Sequence, residues 1–325
     1  MRGPCLPNPV TATMNQMLAS VRCALVLLAL LLTSTGVMAT GDVIRLARRE
    51  AEQAPSTFPE IVLQEALRRT EAHYGAWKIE RVQHSMSRGR LLEDLLNGHE
   101  LNAVVAASQP DWEAQTLPVW IPVDMGLSGL RIGFIRQDAQ AALSRVHSLD
   151  ALRQLRLGVG LSWSSRKVME ANGLQLELAA SQEALTRMVL AERVDYFPRS
   201  ISEAFTEYAD FSRQYPELAI ENHLLLDMPL PTYIFVSPTQ PRLAKRITTG
   251  MEILVRDGSL LKMVTRAHAD ILARARLCER QMIHIPNPLL SSRHPLKRSE
   301  LWFDPYAPGG LCASAAPASH GRRRK

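Results

Sequence analysis

Arg156-Leu-Gly-Val-Gly-Leu-Ser-Trp-Ser-Ser-Arg-Lys-Val-Met-Glu-Ala-Asn-Gly-Leu-Gln-Leu-Glu-Leu178 decides how this chain folds. Arg156–Gly160 reads as a short buried strand. Ser164–Asn172 reads as a helix, with Gly173 just past its end, where a left-handed residue closes the last turn. Leu174–Leu178 is extended again. Strand, helix and strand in this order form a β-α-β unit, and repeated units of this kind build sheets with helices on their faces.

The same alternation extends in both directions. Downstream, Ser181 caps a helix over Gln182–Glu192, Tyr196–Phe197 is a brief strand, and Ser200-Ile-Ser-Glu203 is a capping box that opens a helix toward Tyr215. Ala219–Leu226 and Thr232–Val236 are extended. Upstream lies an earlier run. Strands are expected at Val43–Leu46, Trp77–Val82, Leu101–Ala106, Leu117–Val123 and Leu130–Ile135, with helices at Thr57–His73 and Arg88–Leu96. A long helical region over Gln240–Leu277, broken at Asp257-Gly258, closes the fold. Two runs of units, about 43–135 and 145–230, predict an α/β fold of two lobes, each a mainly parallel sheet flanked by helices. The material after Pro229-Leu-Pro231 has no partner within the second run and is expected to return to the first. The expected division is residues 40–135 with 233–306 in lobe 1, residues 136–232 in lobe 2, and a disordered tail over 307–325. Two segments then cross between lobes, and ligands in such sheets sit outside the carboxyl ends of the strands.

The N-terminus has a separate grammar. Residues 1–39 contain no acid, Arg22 precedes the apolar run Cys23–Leu32, and Val37-Met38-Ala39 has small residues at the cleavage positions. This is the layout of a secretory signal peptide, cut near Ala39 to release an exported product; the alternative is an N-terminal anchor that stays. No second apolar segment of spanning length follows. The net charge of +6 and the pI of about 9.3 come from the ends. Arg2 and Arg22 leave with the leader and Arg322–Lys325 form a basic tail, so residues 40–321 are formally neutral. A nucleic-acid binder would cluster its cations on the domain itself. Cys278 and Cys312 remain after cleavage, and either a disulfide or two free thiols fits them. No CxxC, HExxH or His/Cys cluster is present, so neither a metal nor a cofactor is expected.

Further segments carry a resemblance: Leu157–Trp163, Arg193-Val-Asp-Tyr-Phe-Pro-Arg-Ser-Ile-Ser-Glu203, Pro229-Leu-Pro-Thr-Tyr-Ile-Phe235, Arg256-Asp-Gly-Ser259, Ile285-Pro-Asn-Pro-Leu289 and Leu301-Trp302. In order and spacing the chain resembles the bacterial extracellular solute-binding proteins of the amino-acid-binding type (family 3, type 2 periplasmic-binding fold). Within them it is similar to a branch of transporter substrate-binding domain proteins. The resemblance implies a receptor that captures a small polar, carboxylated molecule between its lobes and delivers it to an ABC permease, acting as a monomer. It implies ligand contacts from the second-lobe loop at Gly160, Ser162 and Trp163, and from Phe197, Arg199 and Ser200. Backbone N–H groups at a helix start suit an anion. Arg199 is read either as a bidentate grip on a carboxylate or as an interlobe salt bridge.

The first lobe departs from the family pattern. Members have a Thr-x-x-x-Arg-Glu-like segment after the third strand, whose Arg holds the amino-acid α-carboxylate. This chain has Ser108-Gln-Pro-Asp-Trp112-Glu113. Trp112 is expected at the site in place of that Arg, and Tyr233 on the crossover is expected to face the cleft or to pack. Arg88 and Arg90 are alternative cations. Two other functions share the fold. One is a sensory or interaction protein whose cleft binds ligand poorly. The other is an enzyme resembling the periplasmic cyclohexadienyl dehydratases, for which Glu203, Asp195 and Glu113 are the candidate acids and bases.

Overall fold

A computed structural model describes residues 41–48, 57–83, 88–308 and 310–313. The leader, its cleavage site, residues 49–56 and the basic end of the tail lie outside the described residues. Among the described residues no helix is long and apolar enough to cross a membrane.

The opening stretch folds as read. β6 (Arg156–Gly160) and β7 (Gln175–Ala179) pair in parallel, joined by the helix Ser164–Ala171. Leu157 of β6 also forms an isolated parallel bridge with Tyr196, the residue just before β8 (Phe197–Ser200). β8 pairs with β5 (Leu130–Arg136), and β5 pairs on its other side with β9 (Leu218–Ile220) and β10 (Leu224–Asp227). The second sheet therefore runs β7-β6-β8-β5-β9/β10. The first has the same plan. β2 (Trp77–Gln83) lies on β1 (Asp42–Arg48), while β3 (Ala103–Ala107) and β4 (Leu117–Val119) flank β11 (Thr232–Val236). Asn102 stitches β1 to β3, its side chain donating to Val43 O (2.7 Å) and accepting from Arg45 N (2.7 Å).

The sheets are mixed, not mainly parallel. β5 and β11 each enter a sheet directly from the other lobe, without a covering crossover helix, and run antiparallel to their neighbours. Three smaller departures accompany this. Pro110–Gln115 is helical, the extended stretch after it shortens to Leu117–Val119, and Gln281–His284 forms β12, parallel to β10 at the sheet edge.

The two crossing segments are bonded to each other. Val123 N donates to Thr232 O (3.0 Å), Met228 N to Gly129 O (3.0 Å) and Ser128 Oγ to Leu230 O (3.3 Å). Gly129 permits this approach, because a Cβ there would lie 2.5 Å from Met228 O. The helix Pro241–Arg256 then packs on Phe58–Arg69, with Arg246 fully buried and bonded to Asp42 (2.7 Å), Gly75 O (2.8 Å) and Thr70 Oγ1 (3.2 Å).

The chain does not stop at two crossings. After Ser259–Ala267, the helix Ala269–Ala275 packs against Ile201–Phe211 of the second lobe, with the Arg274 guanidinium 4.4 Å above the Phe205 ring. β12 then joins the second sheet. From there residues 285–303 return: Asn172 Nδ2 donates to Pro286 O (2.7 Å), Asn287 Nδ2 to Pro229 O (2.8 Å), and Phe303 N to Met125 O (2.7 Å). Cys278 and Cys312 are disulfide-bonded across a separation of 34 residues, and Cys312 is 2 % exposed. The expected tail from residue 307 is thus folded as far as residue 313, apart from undescribed Gly309. One apolar core runs through both lobes as a result, from Ile44, Val62 and Leu67 to Phe134, Leu185 and Phe197, by way of Leu260, Val264, Leu272 and Trp302.

Candidate functional site

At the carboxyl end of the second sheet, β6 ends at Gly160 and β8 at Ser200. Gly160 makes room for the ring that follows it, since a Cβ there would come within 2.4 Å of the Trp163 indole. Trp163 lies nearly parallel to Phe197, with centroids 6.0 Å apart and planes at 20°. The Arg199 guanidinium sits 4.2 Å above Trp163 and 5.6 Å from Phe197, within cation–π range of both. The period-two alternation of β8 puts Phe197 and Arg199 on one face. Ser200 caps the helix Ile201–Phe211 through its side chain. Ser162 is exposed beside this group. The structure thus brings the six second-lobe residues named from sequence into one neighbourhood.

Most of them are already employed. Arg199 is 4 % exposed, and its Nε donates to Glu207 (2.5 Å) while one Nη donates to Glu203 (3.0 Å). Both acids stand on the helix that follows β8, so this ion pair lies within the second lobe and does not link the two. Asp195 is held by Arg156 (2.6 Å). Burial pushes its carboxyl upward, but the hydrogen bonds from Arg156 outweigh that and hold it below the usual Asp range.

The first lobe differs more. Trp112 is 1 % exposed and meets the Phe235 ring edge-on at 5.3 Å; Tyr233 is 0 % exposed. Neither offers a surface to a solute in this arrangement, because each fills the apolar layer beneath the sheet. Tyr233 Oη is 3.0 Å from His294 Nδ1, and His294 Nε2 is 2.9 Å from Glu113. Ser108 Oγ (2.8 Å) and Ser291 Oγ (3.2 Å) also donate to Glu113. Trp120 closes the group, 5.4 Å from Tyr233 and 5.2 Å from His294. Burial lowers the His294 pKa against the pull of Glu113, which favours a neutral ring donating from Nε2 and accepting the Tyr233 hydroxyl at Nδ1. Arg90 is bonded to Asp94 (3.2 Å) on its own helix, and the Arg88 side chain lies outside what is described.

Two groups not singled out from sequence stand out by having no partner. Arg131 Nε and Tyr196 Oη are the buried side-chain polar atoms without a hydrogen bond among the described residues. Arg131 is 8 % exposed and forms no ion pair there. Burial, then the neighbouring Arg199 charge, push its pKa down to about 10. The available signal was a lone cation in the apolar strand Leu130-Arg-Ile-Gly-Phe-Ile135, which is buried throughout. No group of three or more potential ligands for a metal occurs among the described residues.

No family model matches the chain, and no curated protein matches it either. Solved structures do. An ancestral arginine-binding protein bound to arginine is 17 % identical with a TM-score of 0.45, covering 69 % of this chain and 97 % of its own. The ligand-binding core of GluR0 in complex with L-glutamate is 14 % identical with a TM-score of 0.48, covering 70 % and 97 %. The ancestral amino-acid-binding protein AncCDT-1, a precursor of cyclohexadienyl dehydratase, is 14 % identical with a TM-score of 0.46, covering 69 % and 94 %. The chain is a two-lobed α/β protein, and the solved structures similar to it include amino-acid-binding proteins.

Proposed function

We propose that this protein is a periplasmic solute-binding protein that takes a small polar, carboxylated molecule between its lobes for a membrane transporter, working as a monomer. The observation that carries this reading is a cation at the carboxyl end of the second sheet, Arg131, that is buried and unpaired. Buried charges are ordinarily paired, so a site built around an unpaired one is suited to a charged ligand. The plan of the fold supports the same reading. Both sheets turn their carboxyl ends toward the crossing segments, β3 through Ser108 N bonded to Pro231 O (2.9 Å) and β5 and β10 by starting and ending there. The disulfide supports export, because such bonds persist in oxidising compartments.

A second reading is favoured by one specific observation. The first-lobe acid Glu113 and the second-lobe cation Arg199 are each engaged by the protein's own side chains, and the third crossing ties the lobes together. These features suit a sensory or interaction protein that moves little. The candidate acids of a dehydratase, Glu203, Asp195 and Glu113, are likewise each committed to a cation or a histidine. Thermal denaturation against a panel of amino acids, carboxylates, amines, sugars and phosphates separates these readings. A saturable rise in Tm with a carboxylated solute is expected; no response to any solute would overturn solute capture and leave the interaction protein.

A further inference from the structure

The second sheet holds a cation that the rest of the protein leaves unpaired. In register, Arg131 stands between Leu226 of β10 and Ser200 of β8, at the end where β6 and β8 both stop. Its Nε is sealed from solvent without a partner. No hydrogen bond or ion pair among the described residues joins its Nη nitrogens either, and the residue as a whole is 8 % exposed. Every nearby carboxylate is taken. Glu207 and Glu203 are committed to Arg199, and Glu221, on the same side of the sheet, accepts from His223 N (2.6 Å), Leu224 N (2.6 Å) and Gln140 Nε2 (2.8 Å). Tyr196 adds a second idle donor. A Cβ at Gly133 would come within 2.2 Å of its ring, so the ring leans across the bare backbone of Gly133 toward the row of Arg131, and its hydroxyl finds no acceptor.

We propose that Arg131 is the anchor for a carboxylate of the captured solute, received on the outer edge of its guanidinium. This deepens the solute-capture reading and rests on it. It also moves the anion site away from the two positions suggested by sequence: Trp112, where the family places its arginine, is core, and Arg199 is already paired. A planar carboxylate matches two parallel guanidinium N–H groups, and a single negative charge balances one cation.

The test uses acetate, succinate, inorganic phosphate and glucose at matched ionic strength, with Tm as readout. Carboxylates should raise the Tm of the wild type in a saturable way. In Arg131→Met that rise should disappear, while the unliganded Tm stays equal to or above that of the wild type, because a buried charge without a partner is replaced by an apolar chain. Arg131→Lys should keep the response at reduced affinity. A carboxylate response that survives in Arg131→Met would overturn the anchor, and so would a collapse of the unliganded Tm, which would make Arg131 a structural cation. A response to phosphate alone would overturn the assignment to carboxylates. A response to glucose without one to carboxylates would overturn the anchor and leave solute capture standing, whereas no response at all would overturn both.

Discussion

Glu113 and Arg131 are both buried ions near the carboxyl end of a sheet, and the protein treats them in opposite ways. Glu113, 3 % exposed, receives hydrogen bonds from Ser108, Ser291 and His294, and the last two arrive on the returning C-terminal segment. Arg131, 8 % exposed, donates to no acceptor among the described residues. Stripping water from a charge costs several kcal/mol unless the fold replaces that water with partners. At Glu113 the replacement is complete and comes from the chain itself, so the first-lobe end is finished without a ligand. At Arg131 it is missing, and the proposed carboxylate anchor rests on that difference. With Trp112 in the core and a histidine strapped onto Glu113, the first-lobe end works as a fastening.

The sharpest way to break the contrast is to cut the finished network. Glu113→Ala leaves His294 and two serines without their acceptor, and should cost about 1–3 kcal/mol for each donor left buried and unsatisfied, read in urea or guanidinium denaturation. The equivalent change at the other end, Arg131→Met, should lie within about 1 kcal/mol of the wild type or above it. Equal losses at the two positions would erase the distinction.

A smaller effect comes from pH. The groups facing His294 are Glu113, Arg293, Tyr233, Trp120 and Ser291. Burial lowers its pKa below that of a free imidazole, so the unfolded chain takes up the proton first. The stability this neutral ring contributes is therefore full above about pH 6.5 and is lost as pH falls through that value toward the lower folded one. The slope is at most about 1.4 kcal/mol per pH unit for one proton. His294→Gln should remove that part of the acid-side slope between about pH 7 and pH 5. An unchanged slope would show that the ring is not held neutral.

The strand and helix sequence was largely legible because it rests on local signals. The unit over Arg156–Leu178, the helix start at Ser200 and the break at Asp257-Gly258 need only apolar runs, caps and glycines, and all are found in place. Pairing direction was less legible: the antiparallel entry of β5 and β11 depends on where each strand arrives from, which no local window records. The C-terminal strap was missed because β12 is four residues long and the segment after it is irregular, held by side chains such as Asn172 and Asn287 to distant carbonyls. At the candidate site, residue type suggested Arg199, a conspicuous cation in a loop-like stretch. Its partners lie four and eight residues further on, one and two helical turns away, where the helix after Ser200 brings Glu203 and Glu207 under it. Arg131 passed unnoticed inside a strand, and only three-dimensional accounting of partners sets it apart.

The measurement that bears most directly on this account is the side-chain Nε–Hε resonance of Arg131 in isotope-labelled protein, assigned with Arg131→Lys and followed during titration with succinate. Arg246, fully buried and bonded to Asp42, Thr70 and backbone carbonyls, serves as the internal reference. With Arg131 as the anchor, its resonance shifts saturably while the Arg246 resonance stays unmoved. A wild-type protein that binds succinate while the Arg131 resonance stays in place would contradict that role.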